Sequence, residues 1–329
     1  MTEGPTGTAA APTAAPAAVR TTPAVGTAHA KAILFGEHSV VYGSPAVAIP
    51  LTSLNATARI TAGTGGLRID SDLYSGAAAD APPRLQPLIA AVQSACARTG
   101  ADPDLLALEL TSSIPYERGL GSSAAVAVAV ARAVAALTAT RLDEDEVHEV
   151  VMAAERIAHG RSSGLDGRTV ASSSPIRFQN GVVTPVEVGG TFEFVLADSG
   201  HAGSTSEAVG SVRARMEDSP SEVGAVLNRL GALAEGSLRR LAAGDVAGLG
   251  EQMDDAHALL AELGVSDASL ETLVAAARGA GAAGAKLTGG GRGGCVLTLA
   301  RDGAHAAHIA ETLRAAGAAR TWQTKVEPA

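Results

Sequence analysis

The chain has 329 residues, of which 46% are hydrophobic but only 2% aromatic, and its formal net charge is −9. This length supports one large core or two ordinary domains, built mainly from alanine, valine and leucine. The negative charge argues against a nucleic-acid partner, because no basic stripe is available to displace counterions from phosphates. The two cysteines, Cys96 and Cys295, fit no metal-binding or disulfide pattern, which favours a reducing, cytoplasmic location.

Residues 1–26 are predicted to form a disordered tail. They are rich in alanine, proline and threonine, and four prolines interrupt any helix. No basic segment precedes a continuous apolar run, so the tail does not match a signal peptide. No apolar stretch of the chain reaches the ~18–20 residues that a membrane span needs, and we expect no membrane partner.

The segment after the tail predicts strands and one helix. Residues 31–51 hold two short apolar runs around a Gly-Glu-His turn and a Tyr-Gly-Ser-Pro turn, which predicts a strand, a loop and a strand. Residues 82–100 repeat apolar positions at helical spacing, and Gly100 is placed to end that helix. Further strands are predicted at 54–62, 66–72 and 105–115.

Residues 124–137 fit two periodicities. Val126, Val128 and Val130 alternate as in a strand, whereas Val126, Val130, Val134 and Leu137 fall on one helical face. Because the run is about half alanine, the best helix former, we predict a helix.

A second helix is predicted at 143–160, where acidic residues crowd the first turn and Asp143 and Glu146 have the spacing of a capping box. Residues 162–188 are predicted to be loop and strands, with Asp166 in a loop.

The second half mixes strands and helices without strict alternation. A buried strand is predicted at 192–200, and residues 267–300 predict a helix, a glycine-rich loop and a strand. The remaining predicted elements are helices near 204–216, 220–241, 246–263 and 304–318 and a last strand at 319–327. This pattern predicts an α+β protein of two domains, 27–190 and 191–329, with a boundary near Gly189.

The loop at residues 119–124, Gly-Leu-Gly-Ser-Ser-Ala, leads directly into the alanine-rich helix. Its glycines allow backbone N–H groups to converge on an anion, and the helix adds its unpaired N-terminal donors. Ser122 and Ser123 could cap the helix, donate to phosphate or bind Mg²⁺. The Walker A pattern is absent, so capping alone remains an alternative.

Two other polar segments stand out. Five glycines follow Lys286-Leu-Thr before Cys295, which favours close backbone approach to another group over a plain flexible turn. Glu155 and Asp166 could serve as metal ligand and base, or both could be surface charges.

Taken together, these segments indicate phosphoryl transfer. That chemistry needs phosphate binding, Mg²⁺, a positive side chain and a group that orients or deprotonates the nucleophile. Lysine is scarce in this chain, and one of its three lysines, Lys31, precedes the Gly-Glu-His turn.

Three motifs resemble the signatures of the superfamily of galactokinase, homoserine, mevalonate and phosphomevalonate kinases, the GHMP kinases. They are AHAKAILFGEHSVVYG, PYERGLGSSAAVAVAV and KLTGGGRGGCVLTL. The first motif, together with ERIAHGRSSGLDG and DSGHAGSTSEAV, is most similar to mevalonate kinases. The resemblance covers nearly everything from about residue 27 onward.

The resemblance implies a two-domain GHMP kinase fold, α+β, with an N-terminal ribosomal-protein-S5-domain-2-like domain and a C-terminal ferredoxin-like domain. It implies ATP-dependent phosphorylation of the C5 hydroxyl of mevalonate in isoprenoid biosynthesis, with ATP and mevalonate as small-molecule partners, Mg²⁺ as cofactor, and a homodimer left open.

The resemblance also implies residue roles. Asp166 would be the catalytic base, and Lys31 would stabilise charge that develops beside it. Ser123 and Glu155 would hold Mg²⁺ on the phosphates of ATP. The residues that would bind phosphate are Gly119, Leu120, Gly121, Ser122, Ser123 and Ala124. The residues that would lie near the acceptor substrate are Glu37, His38, Thr205 and Gly290.

Overall fold

The structure, a computed structural model, describes residues 22–159, 163–203 and 205–328. Most of the predicted tail, residues 1–21, lies outside this part of the chain. The first strand begins at Ala24, so the predicted tail extends three residues too far. Gly26 in that strand packs against the backbone of Ala129, where an added Cβ would lie 2.1 Å from the carbonyl oxygen.

The described residues form two sheets flanked by helices. The strands are β1 (Ala24–Phe35), β2 (Ala46–Ala62), β3 (Arg68–Ser71), β4 (Tyr74–Ala77), β5 (Leu106–Ser112), β6 (Ile176–Gln179), β7 (Val182–Pro185), β8 (Phe192–Asp198), β9 (Gly284–Thr288), β10 (Cys295–Ala300) and β11 (Arg320–Val326). The helices are α1 (Gln86–Thr99), α2 (Ser122–Thr138), α3 (Glu144–His159), α4 (Leu165–Ala171), α5 (Thr205–Asp218), α6 (Pro220–Ala243), α7 (Val246–Glu262), α8 (Ala268–Gly279) and α9 (Gly303–Ala315).

The long strand β2 organises the first sheet. Its neighbours give the order β4-β3-β5-β2-β6-β7, and β1 pairs with β2 along most of its length. Only β3 and β5 are parallel among these pairs. Helix α2 packs on this sheet, and its alanine-rich surface allows the close approach seen at Gly26.

The second sheet is antiparallel with strand order β11-β8-β10-β9. In chain order it runs strand, helices, two strands, helix, strand, which is the ferredoxin-like βαββαβ arrangement. The predicted two-domain α+β fold is therefore confirmed. Residues 186–191 connect the last strand of the first sheet to the first strand of the second, and the predicted boundary lies in this connection.

Local signals that the sequence carries are present in the structure. Gly100 ends α1 in the left-handed conformation, and its N–H bonds to the Cys96 carbonyl. At the start of α3 the Asp143 N–H donates to Glu146 Oε2 at 2.9 Å, and the Glu146 N–H donates to Asp143 Oδ1 at 2.8 Å. The predicted capping box is thereby confirmed, as are the predicted helices at 82–100 and 143–160, which correspond to α1 and α3.

Two local predictions are wrong. Asp166 lies in the first turn of the short helix α4 and not in a loop. The glycine-rich segment is the turn of a hairpin, because residues 284–288 form β9 and pair with β10 before the glycines begin. Among the described residues, no helix is long and apolar enough to cross a membrane.

Candidate active site

A cavity of about 1580 Å³ opens between the two domains. The first domain contributes the loop before α2, the first turns of that helix and Asp166 of α4. The second domain contributes Ala202, Gly203 and the first two turns of α5. The sequence motifs that lie far apart in the chain therefore face one space.

Lys31 and Asp166 form an ion pair at this cavity. The Lys31 Nζ atom lies 2.9 Å from Asp166 Oδ1. The lysine side chain is only 2% exposed, whereas the aspartate side chain is 37% exposed and lines the cavity. A carboxylate that faces the cavity beside a buried ammonium group can accept a proton while the positive charge stays fixed.

Lys31 is held in place by the loop before α2. Its backbone N–H donates to the Leu120 carbonyl at 3.0 Å. Its side chain passes over Gly121, where an added Cβ would lie 3.0 Å from Lys31 Cγ. Gly121 has a φ of 72°, a left-handed conformation that favours glycine. A glycine is therefore favoured at position 121 both by the backbone conformation and by the space that the Lys31 side chain occupies.

The start of α2 has the character of an anion site. Gly121 is the N-cap residue, and no side chain caps the helix. Ser122 and Ser123 are the first two helical residues, so the alternative in which a serine merely caps the helix does not hold. The residues of the first turn line the cavity together with Gly119 and Leu120, and the uncapped amides and positive end of the helix dipole favour an anion there.

Ser123 and Glu155 line the same cavity. Glu155, near the end of α3, is 6% exposed. A hydroxyl and a carboxylate are the hard oxygen ligands that suit Mg²⁺, so these residues fit the metal. Among the described residues, no cluster of three or more His, Cys, Asp or Glu side chains could hold a metal. Phosphate oxygens and water would complete the coordination, as is usual for Mg²⁺.

The glycine-rich segment after β9 packs against the loop before α2. An added Cβ at Gly119 would lie 3.3 Å from Gly289 Cα, so the two loops touch backbone to backbone. An added Cβ at Gly290 would lie 2.8 Å from Thr205 Cα. The glycines therefore permit close packing of three backbone segments, which agrees with the expected close approach.

Three of the four predicted substrate residues lie behind the cavity wall. Glu37 forms a buried ion pair with Lys286 of β9, and the His38 Nε2 atom lies 2.9 Å from the Gly290 carbonyl oxygen. Glu37, His38 and Gly290 are not among the residues that line the cavity, and each makes a contact across the domain interface. Thr205, the fourth, does line it.

Burial shapes the electrostatics of this interface. Desolvation raises the pKa of Glu37 above its ordinary value, although the adjacent Lys286 opposes the shift. Desolvation likewise lowers the pKa of His38. Its Nδ1 atom is buried without a hydrogen-bond partner, so a proton there would gain no acceptor. His38 is therefore a neutral donor to Gly290.

Sequence reasoning missed two arginines at the cavity. Arg118 lies in the loop before α2 and pairs with Asp198 of β8. Arg213 lies on the same face of α5 as Thr205 and Val209, and all three line the cavity. Their spacing of four residues was the available signal. Arg292, in contrast, does not line the cavity, and its Nε donates to the Gly264 carbonyl.

Comparisons with known proteins match this architecture. A family model described as GHMP kinases N terminal domain matches residues 87–172, and one described as GHMP kinases C terminal matches residues 230–319. A mevalonate kinase of Pyrococcus horikoshii is 36% identical over 298 residues, which span 83% of this chain and 87% of the relative. A mevalonate kinase of Aeropyrum pernix is also 36% identical, over the same shares of the two chains.

Solved structures agree. The L. major mevalonate kinase in complex with R-mevalonate superposes with a TM-score of 0.82 at 27% identity, covering 94% of this chain and 97% of that one. The Methanococcus jannaschii mevalonate kinase has a TM-score of 0.80 at 21% identity, covering 94% and 99%, and shows the shared fold. The chain belongs to the mevalonate kinase family of the GHMP kinase superfamily.

Proposed function

We propose that this protein transfers the γ-phosphoryl group of ATP to the C5 hydroxyl of (R)-mevalonate, giving 5-phosphomevalonate and ADP for isoprenoid biosynthesis. Among the observations, the contact between Lys31 and Asp166 at the rim of an anion site carries the proposal. The mevalonate kinases at 36% identity and the superposed complex with R-mevalonate support the choice of acceptor.

Asp166 acts as the base in this reaction. As the C5 oxygen bonds to the γ-phosphorus, its O–H bond breaks and the proton passes to the Asp166 carboxylate. The bond from phosphorus to the bridging oxygen of ADP breaks, and ADP leaves with that electron pair. Lys31, with a compact ammonium group at a crowded centre, stabilises the developing negative charge.

The loop before α2 positions the nucleotide. Backbone N–H groups between Gly119 and Ala124, including those of Leu120 and Ser122, bind the phosphates. Ser123 and Glu155 would hold Mg²⁺, which when bound would neutralise phosphate charge. Thr205 and the face of α5 lie toward the acceptor, while Glu37, His38 and Gly290 support that region through the domain interface.

A coupled assay of ADP release with mevalonate as the sole acceptor tests the proposal. Phosphomevalonate, galactose and homoserine serve as alternative acceptors. We expect turnover with mevalonate alone and a product that carries phosphate on the C5 oxygen, as determined by ³¹P–¹H correlation spectroscopy. Faster turnover with another acceptor, or phosphate on the C3 oxygen, would overturn the assignment.

A further inference from the structure

The loop of residues 115–121, here called the phosphate loop, is fixed from both domains. On the first domain, its Leu120 carbonyl accepts from the Lys31 N–H at 3.0 Å. On the second, its Glu117 carbonyl accepts from the Gly203 N–H at 3.0 Å. The loop is thus a bridge whose shape depends on how both domains hold it.

Arg118 makes the strongest of these connections. Its Nε donates to Asp198 Oδ1 at 2.7 Å, and a terminal nitrogen donates to the Gly200 carbonyl at 3.3 Å. The other terminal nitrogen donates to the Tyr116 carbonyl at 3.2 Å, back within the loop. One planar guanidinium group therefore joins the phosphate loop to the turn after β8, which a lysine could not do with a single ammonium group.

Asp198 is built to receive this arginine. It is 4% exposed at the end of β8, and its Oδ1 also accepts from the Gly200 N–H at 2.8 Å. A buried carboxylate that loses its cation is left with an uncompensated charge. The pair is therefore coupled, and removal of either partner disturbs the other.

The phosphate loop needs such a constraint. Glu117 has a φ of 55°, a left-handed conformation that is strained for a residue with a side chain. Amides bind an anion well only when they converge before the anion arrives, since ordering them on binding lowers affinity. The loop residues from Tyr116 to Gly121, Arg118 among them, line the cavity.

We propose that Arg118 is a positioning residue, which holds the phosphate loop in its anion-binding conformation by clamping it to Asp198 of the second domain. This inference rests on the proposed function, because it assumes that the loop binds the phosphates of ATP. Arg118 acts through the loop backbone and the paired aspartate, and each of its three guanidinium nitrogens donates a hydrogen bond to the loop or to the turn after β8.

Calorimetric titration with ADP and steady-state kinetics test the clamp in R118A, R118K and D198N. We expect ADP affinity to fall and the KM for ATP to rise by about tenfold or more, the size of lost hydrogen bonds to a charged group. The KM for mevalonate should change less than about twofold, since the proposed function places mevalonate toward α5 and the ATP phosphates at the loop. R118K should resemble R118A, because the lysine ammonium group keeps the positive charge but cannot reproduce the three hydrogen bonds of the planar guanidinium group. R118A combined with D198N should be no worse than either alone.

R177A is the matched control. Arg177 of β6 pairs with Glu235 of α6 at 3.0 Å, joins the two domains and does not line the cavity. The R177A variant should have a lower melting temperature but an unchanged affinity for ADP. Unchanged ADP affinity in both R118K and D198N would overturn the proposal, as would an equal loss in R177A. ADP titration needs no acceptor, so a wrong acceptor assignment would leave this result intact.

Discussion

The Lys31 ammonium group lies 2.9 Å from the Asp166 carboxylate, although one residue belongs to the first strand and the other to the short helix α4. The lysine is buried and the aspartate faces the cavity. In the proposed reaction this relationship would give the two groups different parts, with the fixed cation stabilising charge and the accessible carboxylate accepting a proton.

D166N tests the base. We expect the change to lower kcat by about 10²–10⁴ with little change in ADP affinity, because asparagine keeps the shape of the side chain but cannot take up the proton. Single-turnover kinetics and ADP titration measure the two quantities separately.

D145N is the control for D166N. Asp145 pairs with Arg168 of α4 at 2.6 Å and is exposed, so the variant makes the same chemical change against the same helix. Its kcat should stay within about twofold of the wild type, as expected for loss of a surface ion pair. Normal turnover in D166N would exclude Asp166 as the base.

S123A tests the metal site. Loss of one oxygen ligand should raise the Mg²⁺ concentration that gives half-maximal activity, with partial recovery at high Mg²⁺. The measurement is a Mg²⁺ titration at fixed ATP. S211A removes a helical serine hydroxyl that bonds to the Ala208 carbonyl on α5, and it should leave the titration unchanged. An unchanged titration in S123A would point to Ser122 or water as the ligand.

G121A tests the contact between the phosphate loop and Lys31. The new Cβ would lie 3.0 Å from Lys31 Cγ and 3.2 Å from Val170 Cγ1. A φ of 72° adds about 1–2 kcal/mol of backbone strain. We expect a lower kcat and a higher KM for ATP, because both the lysine and the loop must shift.

Gly65 offers a control with the same strain but no contact. Its φ is 80°, and an added Cβ meets no heavy atom within 4 Å. G65A should lower the free energy of unfolding by a similar backbone term while keeping wild-type kinetics. Equal kinetic effects in G65A and G121A would show that general destabilisation, and not the Lys31 contact, is responsible.

The parts of the fold that local signals determine were predictable. The capping box at Asp143 and the left-handed Gly100 each depend on residues within one turn. Helix α4 was not predictable from hydrophobic periodicity, because its seven residues make only about two turns, too few for a repeat to show. Strand β9 was missed because Lys286 interrupts an apolar run, and the Glu37 carboxylate that stabilises its burial lies on the other domain.

The candidate site divides in the same way. The family motifs identify Lys31 and Asp166, whose contact the structure bears out. The motifs do not distinguish residues that face the cavity, such as Asp166, from residues such as Glu37 and His38 that do not line it. That distinction depends on contacts between domains, such as the bond from His38 to Gly290, which no local pattern encodes.

R213A tests recognition of the acceptor. Arg213 shares the cavity-lining face of α5 with Thr205, and mevalonate, the proposed acceptor, carries a carboxylate. We expect Arg213 to bind that carboxylate, so R213A should raise the KM for mevalonate by about tenfold or more while the KM for ATP stays within about twofold. R215A is the control, because Arg215 on the same helix donates to the Glu262 carbonyl at 2.8 Å. A selective rise in the KM for ATP in R213A would contradict this placement.

His257 links stability to pH. It is buried on α7, its Nδ1 accepts from the Leu287 N–H at 3.3 Å, and its Nε2 lies 3.1 Å from Glu271 Oε1. Burial, together with the positive Arg278 and Lys286, lowers its pKa below 6.5, although Glu271 opposes the shift. A proton on Nδ1 would also break the hydrogen bond that this nitrogen accepts from the Leu287 N–H of β9.

Because the unfolded chain protonates His257 more readily, the folded state loses stability as pH falls below about 6.5, and the contribution is fully present above that pH. The free energy of urea unfolding should therefore decrease between about pH 7.5 and pH 5. H257N should make this decrease shallower, since the asparagine Oδ1 accepts from Leu287 without titrating, while His38, whose pKa burial also lowers, keeps its own contribution. H308N, at an exposed position on α9, should leave the slope unchanged. A slope in H257N as steep as that of the wild type would show that His257 does not carry the acid sensitivity.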